Sequence, residues 1–81
     1  MDVCKGSLVY SKAGRDKGKL FMVIDLVDGY LYVADGDTRR IANPKKKKQK
    51  HINATNFVAD IDFDTISDSV IRKVLTEYSA R

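Results

Sequence analysis

The 81-residue chain has one cysteine, one histidine, one proline and no tryptophan. Each scarcity excludes something. Cys4 is alone, so no internal disulfide can form, and a disulfide-stapled secreted scaffold is excluded. His51 has no second histidine and no cysteine cluster to share a zinc ion with. Cys4 and His51 formally make a nucleophile and a base, but nothing supplies a third group or an oxyanion hole. Asp60, Asp62 and Asp64 alternate like part of a calcium loop whose other positions are missing; they read as solvated turn or helix-entry charges. The chain therefore reads as non-enzymatic, with no cofactor and no metal. Long apolar runs are also missing, and none approaches the roughly 20 residues of a membrane helix. The start, "MDVCKGSLVY", lacks the charged, apolar and small-residue regions of a signal peptide. A cytoplasmic, reducing location is the expectation, and the Asn53-Ala54-Thr55 sequon carries no weight there.

What is present fits one small folded domain. The chain is 43% hydrophobic and 32% charged, too apolar for a disordered segment. Its net charge of +4 is concentrated in one place. Residues 1–43 are net +1 and residues 52–81 are net −2. Between them "PKKKKQKH", residues 44–51, is net +5. A field focused in this way attracts a polyanion.

Local patterns place strands first. "SLVYSK", 7–12, is β-prone and bounded by Gly6 and Gly14. "AGRDKG", 13–18, is a loop, and "LFMVIDLV", 20–27, a strongly apolar strand. Asp28-Gly29 before "YLYVAD", 30–35, is the strongest short hairpin signal, because both turn positions need positive φ. A two-residue turn sets Val27 opposite Tyr30, Leu26 opposite Leu31, Asp25 opposite Tyr32 and Ile24 opposite Val33. Alternation then puts Leu20, Met22, Ile24, Leu26, Leu31 and Val33 on one core face. Phe21, Val23, Asp25, Val27, Tyr30 and Tyr32 take the other, mixed face. "TRRIA", 38–42, is expected as a fourth strand, the lysine run as a loop pinned between strands, and residues around 51–55 as a weaker fifth strand.

A helix is expected over about 67–79. Val70, Ile71, Val74, Leu75 and Tyr78 form one apolar stripe. Ser67 or Thr65 caps it, and Asp68 suits its positive end. The mixed face of the hairpin is where that stripe would lie. The fold class is mainly β: a small SH3-like barrel of four to five antiparallel strands over 1–64, with one C-terminal helix over 65–81 packed on it.

Gly6, Val9, the loop "GRDKGK" from Gly14 to Lys19 and Val23 resemble a KOW motif, with Arg15, Lys17 and Lys19 at its basic positions. The series continues through Gly18-Lys19-Leu20, Asp25, Ala34-Asp35-Gly36, Arg39-Arg40, Pro44-Lys45, Lys50-His51 and Thr55. In that order it is similar to the L-fourteen-type KOW proteins of the eukaryotic and archaeal large ribosomal subunit, and to compact bacterial KOW RNA-binding proteins. The likeness spans about residues 5–56 and leaves out the helix. It implies an SH3-like barrel that contacts RNA, ribosomal RNA first.

The expected RNA site follows. Gly14 and Gly18 let backbone approach phosphates, and Arg15, Lys17 and Lys19 supply charge. Lys45, Lys46, Lys47, Lys48, Lys50 and His51 form the second basic element. Five such phosphate contacts imply a log–log salt slope of about −3.5 to −4.5. Of Arg39 and Arg40, one would pair with Asp35 or Asp37 and the other join the RNA surface; alternation does not choose. Tyr10, Tyr30 and Tyr32 are stacking candidates, with packing under the helix favoured for Tyr30 and Tyr32. The rival expectation is a protein-interaction module, its lysines meeting an acidic surface of the transcription or translation machinery. A monomer is favoured in either case.

Overall fold

A computed structural model describes residues 3–80; Met1, Asp2 and Arg81, the ends of the expected domain boundaries, lie outside them. Five strands follow in order: β1 (Ser7–Ser11), β2 (Leu20–Val27), β3 (Tyr30–Ala34), β4 (Lys45–Lys48) and β5 (Ile52–Val58). A 3-10 turn, Gln49–His51, links the last two, and helix α1 (Asp68–Ser79) follows. The strands form one antiparallel sheet in the order β4-β3-β2-β1-β5. The fold is mainly β, consistent with an SH3-like small β domain whose sheet is not closed. Among the described residues no helix is long and apolar enough to cross a membrane.

The β2–β3 hairpin turns at Asp28 (φ 51°) and Gly29 (φ 81°), the pair of positive angles a two-residue turn demands. Near the turn the register is the expected one, with Val27 opposite Tyr30, Leu26 opposite Leu31 and Asp25 opposite Tyr32. Then it shifts. Val23, not Ile24, faces Val33, and Met22 faces Ala34. Ile24 is the extra residue of a bulge, and one extra residue exchanges the two faces of a strand.

That exchange overturns the expected division of the core. Phe21 and Val23 are buried with Val9, Leu31, Val33 and Ile52 in one cluster. Met22 is buried in the other, with Leu8, Ala34, Ala59, Ile71 and Leu75, and Leu20 and Ile24 pack against it. The helix thus lies over Met22 and Leu8, not over Phe21 and Val23. Leu26, beyond the bulge, is left 37% exposed. Tyr30 and Tyr32 are half-buried and belong to neither cluster, so they are not the seat of the helix.

Helix α1 begins as its residues dictate. The Ser67 hydroxyl accepts from the Val70 N–H at 3.3 Å. The stripe buries Ile71 and Leu75, each contributing about 1.5–3 kcal/mol if fully removed from water. Asp68 does more than complement the helix end, because its carboxylate accepts from the Ile41 N–H at 2.8 Å. Gly36, at φ 77°, lies against this first turn so closely that any Cβ would collide with the Asp68 carbonyl, and Arg72 donates to the Gly36 carbonyl.

The fourth strand is not where it was expected. Residues 38–42 form bends and turns, and the lysine run itself is the strand. Asp35 is the reason that residues 35–39 coil. Its carboxylate accepts from the N–H groups of Asp37 (2.9 Å) and Arg39 (2.8 Å) and from the Thr38 hydroxyl (2.8 Å). The amides of Asp35 and Gly36 meanwhile donate to the Arg39 carbonyl. Backbone folded onto one carboxylate cannot also extend into a ladder. After Pro44 the chain runs free to pair with β3, Lys45 opposite Val33, Lys46 opposite Tyr32, Lys47 opposite Leu31 and Lys48 opposite Tyr30. Alternation along this strand sends Lys45 and Lys47 to one face and Lys46 and Lys48 to the other, which separates like charges.

Candidate functional site

The loop between β1 and β2 and the lysine strand β4 meet at Asp16. Its carboxylate lies 2.9 Å from the Ser11 hydroxyl, 3.0 Å from Lys47 Nζ and 3.8 Å from Lys45 Nζ. The Lys47 ammonium also donates to Ser11 Oγ at 2.8 Å and to the Ala13 carbonyl at 3.2 Å. Lys47 is only 7% exposed. A buried ammonium has three protons to place, and here each has an oxygen. Burial by itself would raise the Asp16 carboxyl. The hydrogen bonds from Lys47 and Ser11 and the charges of Lys47 and Lys45 outweigh it and hold the group below its ordinary value.

Lys19 is held in the same manner from the other end of the loop. Its ammonium lies 2.6 Å from Asp35, donates to Thr38 and sits 5.6 Å from the centre of the Phe21 ring. Burial would raise Asp35 as well. The Lys19 bond, the Arg39 and Asp37 amides and the Thr38 hydroxyl prevail and keep it well below the usual carboxylate range. Asp35 therefore takes Lys19 and a backbone amide of Arg39; the arginine side chains do not supply its charge. Arg40 Nε reaches the Asp37 carbonyl at 3.3 Å.

Three of the loop's own amides also turn inward. Lys17 N–H donates to Gly14 O, Gly18 N–H to Ser11 O and Lys19 N–H to Asp16 O. The amides of Gly14, Arg15 and Asp16 make no such bond among the described residues, and the Arg15 and Lys17 side chains are exposed.

The two basic segments meet at the β4 edge of the sheet. One cleft of about 240 Å³ is lined by Arg15, Asp16, Lys19 and Phe21 with Thr38, Arg39 and Lys45. A larger one of about 510 Å³ runs along β4, with Ala13, Gly14, Tyr30 and His51 around Lys45, Lys46, Lys47 and Lys48. Lys45 lines both. Lys46, Lys48 and Lys50 are exposed; the Lys46 ammonium stands 4.2 Å from the centre of the Tyr30 ring. His51 is half-buried, and its carbonyl accepts from the Lys12 N–H. Tyr10 is 37% exposed on β1.

No protein-family model matches the chain, and no curated protein matches it. The site has to be read on its own geometry. Of the expected cations, Arg15, Lys17, Arg40, Lys46, Lys48 and Lys50 are exposed, whereas Lys47 and Lys19 have their charges committed to Asp16 and Asp35. Asp16, Asp35, Ser11 and Thr38 organise the site and have no place in a reading based on basic residues alone. A signal was there: an acid inside a loop of cations, and a second acid just before the paired arginines. Among the described residues no group of three or more His, Cys, Asp or Glu could hold a metal ion.

Proposed function

We propose that this chain is a non-enzymatic RNA-binding module of the cytoplasm that docks on structured RNA, ribosomal RNA first, through the face built by the 14–19 loop and β4. One observation carries the reading. Two basic segments, 31 positions apart at Asp16 and Lys47, are joined at one carboxylate, Asp16, and other cations of both segments line two adjoining clefts at the β4 edge of the sheet. The acid at the joint is already neutralised by a buried lysine, so it takes little from the outward field. Arg15, Lys17, Lys46, Lys48 and Lys50 are the phosphate contacts, and Tyr30 supplies an aromatic surface among them. Contacts of this kind position a backbone and read little sequence. The likeness of Gly14–Lys19 to a KOW loop supports the same reading.

The test is a titration of a structured RNA at 50 and 200 mM salt, followed by fluorescence anisotropy. Binding at the lower salt that weakens by about a hundredfold or more at the higher is the expected result. Failure to bind at 50 mM salt refutes the proposal.

One feature favours the rival reading, a module for an acidic protein segment. β4 is an edge strand, and an extended acidic peptide could add to it as a further strand. Such a partner would stay bound after nuclease treatment, whereas an assembly mediated by RNA would not. Lysines on an edge strand also discourage edge-to-edge aggregation, and that role needs no partner at all.

A further inference from the structure

The smaller cleft differs in chemistry from the rest of the basic face. Its one acid, Asp16, is spent on Lys47, and Lys19 in its wall is itself paired with Asp35. Lys19 and Thr38 are tied to each other and to Asp35, so they form a fixed wall. Phe21 is 1% exposed and closes the floor. Two guanidinium groups remain, those of Arg15 and Arg39. Among the described residues neither has a hydrogen-bond or ion-pair partner, and both line the same 240 Å³ cleft. Arg39 is half-buried there. Lys45 adds a third cation, only loosely engaged by Asp16 at 3.8 Å.

We propose that this cleft is a discrete phosphate site, in which Arg15 and Arg39 fork the oxygens of one phosphate group and Lys45 adds charge. A guanidinium presents paired N–H donors that match phosphate oxygens, which the lysines of β4 do not. The volume admits a phosphate together with part of an attached sugar. The inference rests on the RNA reading for the polymer that carries the phosphate, either as an internal phosphodiester or as a chain terminus. The chemistry of the site is the same for both.

The experiment uses inorganic phosphate first, with NMR of the arginine Nε–H groups. Saturable shifts at Arg15 and Arg39, lost in Arg39→Gln and in Arg15→Gln, support the site. Neither residue makes a side-chain contact that the fold needs, so both variants remain folded. Two short RNAs, one with a 5′-phosphate and one with a 5′-hydroxyl, then identify the source. A preference for the 5′-phosphate of about tenfold that disappears in Arg39→Gln assigns a terminal phosphate. Equal affinities that both fall by about tenfold in Arg39→Gln assign an internal phosphodiester. Absent phosphate shifts, with RNA affinity unchanged by both arginine variants but weakened by loss of Lys46 and Lys48, overturn the site and leave the RNA reading standing. Saturable phosphate shifts in a protein that binds no RNA have the opposite result: the site stands and the RNA reading falls.

Discussion

Lys47 Nζ lies 3.0 Å from Asp16 Oδ1 and so ties edge strand β4 to the loop that follows β1, two elements that share no backbone ladder. The contact closes, with side chains, part of the gap that the open sheet leaves. It also explains how a run of four lysines becomes a strand. Alternation turns Lys47 inward beside Leu31, where Asp16, Ser11 and the Ala13 carbonyl await its ammonium.

Removing Lys47 therefore damages the fold more than the ligand surface. Lys47→Met keeps the apolar stem and strands a mostly buried carboxylate. A stability loss of about 2–4 kcal/mol is expected in urea unfolding. Combining it with Asp16→Asn restores part of that loss, because the carboxylate is then no longer charged and unpaired. Equal costs for Lys47→Met and Lys46→Met would show that the brace is no more than a surface contact.

Salt dependence separates the inward lysine from the outward ones. Lys46→Gln, Lys48→Gln and Lys50→Gln together remove three of the proposed phosphate contacts. The log–log salt slope of RNA binding then becomes shallower by about 2–3, while Lys47→Met leaves it unchanged. A slope equally sensitive to Lys47 would place its ammonium on the RNA, against the geometry seen here.

Asp35 makes the fold acid-sensitive in a defined direction. Its carboxyl is held below its ordinary value in the folded chain, so its contribution is complete above the unfolded value of about 3.9. That contribution is lost as pH falls from there through the lower folded value. Asp35→Asn lowers stability at pH 7 by about 2–3 kcal/mol, since it removes the charge that Lys19 and two amides address. The gap between the two proteins narrows steadily below about pH 4. Urea midpoints at pH 7 and pH 3 measure it, and a gap independent of pH would rule out ionisation as the cause.

The contrast between Asp28 and Asp35 shows what the sequence made legible. Asp28-Gly29 acts within two residues, so the hairpin and the strands it joins were readable from spacing, as was helix α1 from its stripe. Asp35 acts on groups up to four residues ahead and on Lys19, and nothing in the "TRRIA" pattern reveals that its backbone is already engaged. Ile24 is as β-prone as its neighbours, so the bulge that exchanges the faces of β2 left no mark in composition. The lysine strand was hidden for a related reason. Its strand character comes from the partner row, Leu31 and Val33, and from Asp16 across the opening, not from lysine itself. The two basic segments were legible as charge. Their meeting at Asp16 was a matter of topology.

Tyr30 gives the last discriminating case. It is half-buried, lines the larger cleft and carries the Lys46 ammonium 4.2 Å from its ring centre, outside both core clusters. On the RNA proposal, a base stacked on this ring would take the place of the Lys46 ammonium. Tyr30→Ala is then expected to weaken binding of an RNA with an unpaired loop by about 1–3 kcal/mol, with little effect on a fully paired duplex. Tyr30→Phe keeps the ring and retains the affinity. Equal losses on loop and duplex RNA would mean that Tyr30 only supports β4, and the larger cleft would then be a phosphate track without a stacking platform.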